Sequence, residues 1–108
     1  MQHHPIAELV ARAAAGPDPW HEFVVGPRLA VGVYVLPAGS VDRQEPHAED
    51  EVYVVISGRS RFTAGGVTVD VAPGDTIHVP AGMPHRYHDI TEDLHIVYTL
   101  TPADAPAP

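Results

Sequence analysis

Apolar residues recur in two different periods along the chain, and the change occurs near residue 20. Before it, they return every three or four positions and form one stripe, made of Ile6, Leu9, Val10 and Ala13. Pro5 suits the first turn of a helix, and Gly16 followed by Pro17 suits its end. The pattern predicts a short helix over residues 5–15, whose stripe covers an open side of the fold or a partner subunit.

After residue 20 the pattern is typical of short strands. Five runs rich in Val, Ile and Tyr occupy residues 29–36, 52–57, 67–71, 75–79 and 94–100. Three weaker runs occupy residues 22–25, 60–63 and 85–90. Turn signals separate the runs, among them Gly58 and the segment 91–93. About eight short strands predict an all-β sandwich or barrel. A jelly roll is favoured because it leaves few exposed strand edges.

The length of 108 residues suits a single domain. We expect an N-terminal helix and arm over 1–20, a barrel over 21–100 and a tail over 101–108. The tail is rich in Pro and Ala and is expected to be disordered or to lie over the surface. Trp20 follows Pro17-Asp18-Pro19, and we interpret it as the anchor of the arm on the barrel.

Composition removes several classes of function. The chain has neither Cys nor Lys, which excludes disulfides, thiolate metal sites, a cysteine nucleophile and Schiff-base chemistry. Its formal charge of −8 and the lack of a basic stripe argue against nucleic acid as a partner. No apolar run approaches the ~18 residues of a membrane span, and the first residues do not resemble a signal peptide. We therefore expect a cytoplasmic protein without membrane partners.

Eight histidines in a Cys-free chain point to a metal site with nitrogen and oxygen ligands. On one straight strand His47 and Glu51 would lie ~13 Å apart, too far for one ion with ligand bonds of ~2 Å. The chain must therefore turn between them, with residues 48–50 as the polar connector and Glu51 starting a strand. His85 follows a Pro-Ala-Gly-Met-Pro turn that fixes where its own strand begins.

Two segments resemble the two sequence motifs of the cupin superfamily. The residues in register are Gly39, His47, Glu51 and Gly58 in the first motif, and Gly74, Pro80, Gly82 and His85 in the second. The resemblance covers residues 39–89, about half of the chain. It implies a small single-domain cupin, a jelly-roll β-barrel with a short N-terminal helix. It also implies a divalent metal ion held by His47, Glu51 and His85, and frequent assembly as a homodimer.

The chain departs from the cupin motifs at two positions. Glu45 stands where the family has its first motif histidine, and Asp89 stands where the second motif ends in Asn. Glu45 either ligates the ion or points away, which leaves the two-His, one-carboxylate set typical of non-haem Fe(II) oxygenases. Either set suits Fe, Mn, Zn, Ni or Co and not soft Cu(I). A third possibility is a metal-free site in which His47 caps a polar cavity.

Neighbouring residues have simpler interpretations. Gln44 is interpreted as an exposed loop residue, and Glu49 with Asp50 as a solvated connector. Tyr87 shares strand parity with His85 and could line the site, although a tyrosine there is more often part of the core.

Any catalysis by this chain is expected to be metal-centred, because it has no Ser-His-Asp motif, P-loop or dinucleotide fingerprint. The first hypothesis is a metal-dependent enzyme acting on a small polar molecule, a dioxygenase-type oxidoreductase above all, or an isomerase or lyase. The alternative is a non-catalytic module that binds or senses a small ligand. A purely structural role is disfavoured, because a His/Glu cluster inside a barrel destabilises the fold unless it is paired or metal-bound.

Overall fold

The computed structural model describes residues 1–101, and within them the chain forms one helix and six strands. Their bounds are α1 (Ile6–Ala15), β1 (Trp20–Val25), β2 (Ala30–Leu36), β3 (Glu51–Ala64), β4 (Val67–Val71), β5 (Thr76–Val79) and β6 (His85–Leu100). The predicted helix and the all-β architecture are confirmed. Apart from Thr101, the predicted tail lies outside the described residues.

Two long strands organise the sheet. All pairs are antiparallel, in the order β1-β2-β6-β3-β4, with β5 also paired to β3. The first part of β3 lies between β5 and β6, and its last part lies between β4 and β6. The two long strands therefore run through both parts of the barrel, with Glu51 opposite Leu100 and His85 opposite Ala64 in their ladder.

The predicted turns at Gly58 and at 91–93 are wrong, because both segments lie inside β3 and β6. The register between these strands shifts repeatedly from Val55 to Arg61. Gly58 has a φ of +96°, and a Cβ at this position would overlap the carbonyl of Asp93. The turn signals therefore mark a bulge at which two continuous strands bend together, rather than the ends of four short ones.

The core lies between the inward faces of these strands. On β6 the alternate residues Leu94, Ile96 and Tyr98 are buried, as the strand parity predicts. They pack with other buried side chains of the sheet, among them Tyr34, Tyr53, Phe62 and Tyr87. The core is thus rich in tyrosines, whose hydroxyl groups need partners when they are buried.

The helix packs on its own barrel. Leu9 and Ala13 are buried against Val33 and Val35, on the face of β2 opposite the main core. The apolar stripe of α1 therefore covers a side of this chain rather than a partner subunit. Within residues 1–101 no helix is both long enough and apolar enough to span a bilayer.

Backbone contacts tie the connector before β3 to the turn before β6. The amide of Gly82 donates to the carbonyl of His47 at 2.7 Å, and the amide of Ala81 donates to the Asp50 carboxylate at 2.8 Å. The carbonyl of Asp50 also accepts from the amide of Thr101 at 3.1 Å, beyond the end of β6. The two segments that carry the histidines are therefore held together without help from those side chains.

Candidate metal centre

Three side chains, those of His47, Glu51 and His85, converge in the fold. His47 lies just before the connector 48–50, Glu51 is the first residue of β3 and His85 is the first residue of β6. Their candidate ligand atoms all lie within 4.8 Å of one another. Nε2 of His47 is 2.9 Å from Oε1 of Glu51, and Nε2 of His85 is 3.3 Å from the same oxygen. The chain turns between His47 and Glu51, as the spacing argument requires.

Backbone carbonyls set the orientation of both imidazoles. Nδ1 of His47 donates to the carbonyl of Glu49 at 3.0 Å, and Nδ1 of His85 donates to the carbonyl of Met83 at 2.8 Å. A carbonyl oxygen can only accept, so each Nδ1 carries its hydrogen. The neutral form of each ring then presents the Nε2 lone pair to Glu51, which is the arrangement found for histidines that bind metals.

The cluster requires a cation. Two Nε2 lone pairs and a carboxylate oxygen are all acceptors, and unpaired acceptors facing one another in a buried place are costly. Glu51 and His85 are indeed buried, with 5% and 6% of their surface exposed. A proton on one imidazole would pair that ring with Glu51, and a metal ion could accept electron pairs from all three groups.

The ionisation of Glu51 and His85 fits this requirement. Burial alone raises the pKa of the Glu51 carboxyl, but its polar contacts with His85, Tyr53 and His47 outweigh it and lower that pKa. Burial alone lowers the pKa of His85, but its hydrogen bonds to Glu51 and to the Met83 carbonyl outweigh it and raise that pKa. The pair therefore favours a negative Glu51 and a positive charge beside it.

A tyrosine and a glutamine support the group from the barrel interior. The Tyr53 hydroxyl lies 3.1 Å from Nε2 of His85 and donates to Oε1 of Gln44 at 2.9 Å. Burial, and then the charge of Glu51, raise the pKa of Tyr53, so its hydroxyl keeps its proton. Gln44 is half-buried, and its interpretation as an exposed loop residue is wrong.

Asp42 holds Gln44 in place and was not singled out in the sequence. Its Oδ1 accepts from the Tyr34 hydroxyl at 2.7 Å and from the backbone amide of Gln44 at 3.1 Å. Its Oδ2 accepts from Nε2 of Gln44 at 2.6 Å and from the amide of Tyr87 at 2.9 Å. With 6% of its surface exposed, Asp42 is a buried carboxylate that joins the loop, β2 and β6 behind the metal group.

The two departures from the cupin motifs lie outside the convergent group. Glu45 is exposed, and within residues 1–101 it does not belong to the cluster of His47, Glu51 and His85 that could hold a metal ion. Glu45 as a ligand stays a prediction. Asp89 lies in β6 with a φ of +49°, a conformation that Asn and Asp adopt more readily than most other residues.

The connector residues are less solvated than predicted. Glu49 is half-buried and holds His47 through its backbone carbonyl. Asp50 is exposed, but its carboxylate and carbonyl both accept hydrogen bonds from the barrel. Tyr87 is a core residue, as the simpler interpretation expected, with 1% of its surface exposed.

A cavity of about 200 Å³ opens beside the metal group. Both His47 and Glu51 line it, together with Trp20, Glu22, Tyr34, Gln44, Tyr98 and Leu100. Trp20 is 49% exposed at the start of β1 and lines this cavity, while its interpretation as the anchor of the arm stays a prediction. Strand pairing brings it here, because Trp20 lies opposite Tyr34 across β1 and β2.

Comparisons with known proteins agree with this architecture. The family model described as "Cupin domain" matches residues 32–100. The chain is 41% identical over 105 residues to an uncharacterized protein of Streptomyces coelicolor, a match that covers 97% of this chain and 100% of that protein. The same architecture is therefore expected in that relative.

Solved structures share the fold at low sequence identity. A protein of Thermus thermophilus matches 94% of this chain and 98% of its own, with a TM-score of 0.78 and 22% identity. DMSP lyase DddQ from Ruegeria pomeroyi matches 82% of this chain with a TM-score of 0.73 and 21% identity. This chain covers 48% of the lyase, so the likeness concerns the barrel alone. Together with the family match, the barrel and its motif residues establish that this chain belongs to the cupin family.

Proposed function

We propose that this cupin binds one divalent metal ion through Nε2 of His47, the Glu51 carboxylate and Nε2 of His85. The observation that supports the proposal is the orientation of both imidazoles. Each has its Nδ1 hydrogen engaged by a backbone carbonyl and its Nε2 directed at the same carboxylate oxygen. This set of three ligands would leave further coordination positions open.

The donor set narrows the choice of ion. Two imidazoles and one carboxylate suit Fe, Mn, Zn, Ni or Co, and the set lacks the thiolate or thioether that Cu(I) prefers. A divalent ion held there would act as a Lewis acid towards an oxygen atom of a small polar molecule or of water. The protein's own part is to fix the two imidazoles, which the carbonyls of Glu49 and Met83 do through the Nδ1 atoms.

Dioxygenase-type oxidation is the catalysis that we propose first. Two histidines with one carboxylate and open positions are typical of non-haem Fe(II) oxygenases. Isomerase or lyase chemistry needs the same polarised oxygen without a redox change and is the second possibility. The homodimer and the cytoplasmic location expected from the sequence stay predictions.

Metal content of the purified, untagged protein tests the metal site. We expect His47→Gln and His85→Gln each to lower zinc or cobalt binding at least about tenfold, the range seen when even outer partners of metal ligands are lost. Glu45→Gln is the matched control, because it changes an exposed carboxylate two residues before His47. Stoichiometric metal in both histidine variants would refute the assignment, and a loss in Glu45→Gln would show that Glu45 is a ligand.

Oxygen uptake by the Fe(II)-loaded protein tests the catalysis. We expect uptake to rise with a suitable small polar substrate, and His85→Gln to abolish the rise. Conversion without oxygen uptake in the zinc- or manganese-loaded protein would favour the isomerase or lyase form. Metal and ligand binding without any conversion would leave the non-catalytic binding or sensor module as the function.

A further inference from the structure

Two cavities lie beside the cluster of His47, Glu51 and His85, and a ligand can reach the cluster from one of them. A hollow of about 510 Å³ has His85 and Arg86 in its wall, but the His85 side chain has 0% of its surface exposed. The cavity of about 200 Å³ is walled by His47 and Glu51, whose side chains are 24% and 6% exposed. A molecule that contacts the proposed ion therefore enters through this second, smaller cavity.

The far wall of this cavity is aromatic and acidic. Trp20 lies on one strand with Glu22, and Tyr98 lies on β6. The Tyr98 hydroxyl donates to Oε2 of Glu22 at 3.2 Å, which holds the carboxylate beside the rings. Burial, and then the charge of Glu22, raise the pKa of Tyr98, so the phenol keeps its proton and adds no negative charge of its own.

Positive side chains are missing from this wall. No Arg lines the cavity within residues 1–101, and the sequence has no Lys. In that part of the chain Glu22 also has no basic residue within salt-bridge distance, unlike the exposed Glu92, which lies 3.3 Å from Arg59. The charge of Glu22 is therefore available to a ligand.

From this wall we infer that the ligand carries a positively charged group, an ammonium or amine, which binds among Trp20, Glu22 and Tyr98. Aromatic faces and a carboxylate attract such a group, and a cation gains most over an indole ring. An oxygen atom at its other end would bind the metal ion held by His47, Glu51 and His85. That half of the inference depends on the proposed function. The volume is below the ~300–1,000 Å³ of drug-sized pockets, so the ligand is small.

Three probes of similar shape test the charge preference: choline, neutral 3,3-dimethylbutan-1-ol and anionic 3,3-dimethylbutanoate. Trp20 is the sole tryptophan, so its indole N–H gives one NMR signal that reports on this cavity. We expect choline to shift that signal with an affinity about tenfold above that of the neutral alcohol. The anion should bind more weakly than both, because Glu22 and Glu51 repel it.

Glu22→Gln should remove most of the choline preference, since the amide keeps the shape and loses the charge. Glu8→Gln is the matched control, because Glu8 is exposed on α1 and should leave the preference intact. Equal binding of choline and the alcohol, or a preference unchanged in Glu22→Gln, would overturn the inference. Titrations with and without zinc separate the two proposals. A preference for choline in a protein that does not bind zinc would overturn only the proposed function. Zinc binding without a preference for choline would overturn only this inference.

Discussion

Asp42 receives hydrogen bonds on both carboxylate oxygens, from Tyr34 and Gln44 on one and from Gln44 and Tyr87 on the other. All of these partners are donors, so the site is built for an acceptor-only group, an ionised carboxylate. Through Gln44 and Tyr53, the carboxylate determines where the His85 ring is supported. A residue without any contact to the proposed ion thus positions one of its ligands.

Asp42→Asn should destabilise the protein, because the new amide NH₂ must face a donor that Asp42 now accepts from. We expect the free energy of unfolding to fall by about 1–3 kcal/mol, the usual cost of leaving a buried polar group unsatisfied. Urea unfolding followed by circular dichroism measures the change. Asp70→Asn, on a side chain that is 93% exposed, is the control and should be nearly neutral. A fully stable Asp42→Asn protein would mean that the network adapts to the amide.

Motif spacing was enough to predict the three residues that converge, His47, Glu51 and His85. It could not predict Asp42, since Tyr87 lies 45 residues away and only the fold brings the two together. The position of Trp20 beside the cavity could not be predicted for a related reason, because strand pairing and not its local sequence places it there. Residues at motif positions are visible in the sequence even when they meet across strands, and supporting residues at positions that the motifs leave open are not.

At the scale of the element, β3 and β6 are each continuous through a sharp bend. The hydrophobic runs inside them were predicted correctly as strands, but the glycine and the polar segment between the runs suggested breaks. Gly58 and Asp93 show why the pattern was ambiguous. A positive φ with a close backbone neighbour occurs both in a turn and in a bulge, and only the partner strand distinguishes them.

Gly58→Ala should test the close approach at this bend. A side chain there would need a left-handed backbone and would overlap the Asp93 carbonyl, so we expect a loss of at least about 1–3 kcal/mol in unfolding free energy. Gly74→Ala is the matched control: Gly74 has a similar φ of +90° but no atom within 4 Å of an added Cβ. If both variants lost the same stability, backbone strain alone would explain the effect and the close packing would not matter.

At the scale of the whole molecule, proton and metal occupancy should be linked. Because the pKa of His85 is raised, the metal-free protein keeps a second proton on this ring up to a pH above the ordinary pKa of histidine. A metal ion must displace that proton, so the apparent zinc affinity should fall by about tenfold per pH unit below this pKa. Above it the affinity should no longer depend on this group.

Calorimetric titration with zinc, in buffers of different ionisation enthalpy, measures both the affinity and the protons released. We expect proton release on the acidic side of the His85 transition and none from this residue on the alkaline side. An affinity that does not change with pH over this range would contradict the ion pair between His85 and Glu51.

The backbone ties between the two histidine segments have a consequence for how such a site can change over generations. Gly82 holds the carbonyl of His47, and Asp50 holds both Ala81 and Thr101, so the frame is assembled by groups other than the ligands themselves. A mutation of one proposed ligand should therefore leave the others where they are. We therefore expect that the side chains of this cluster can be exchanged one at a time while the backbone that carries them stays in place.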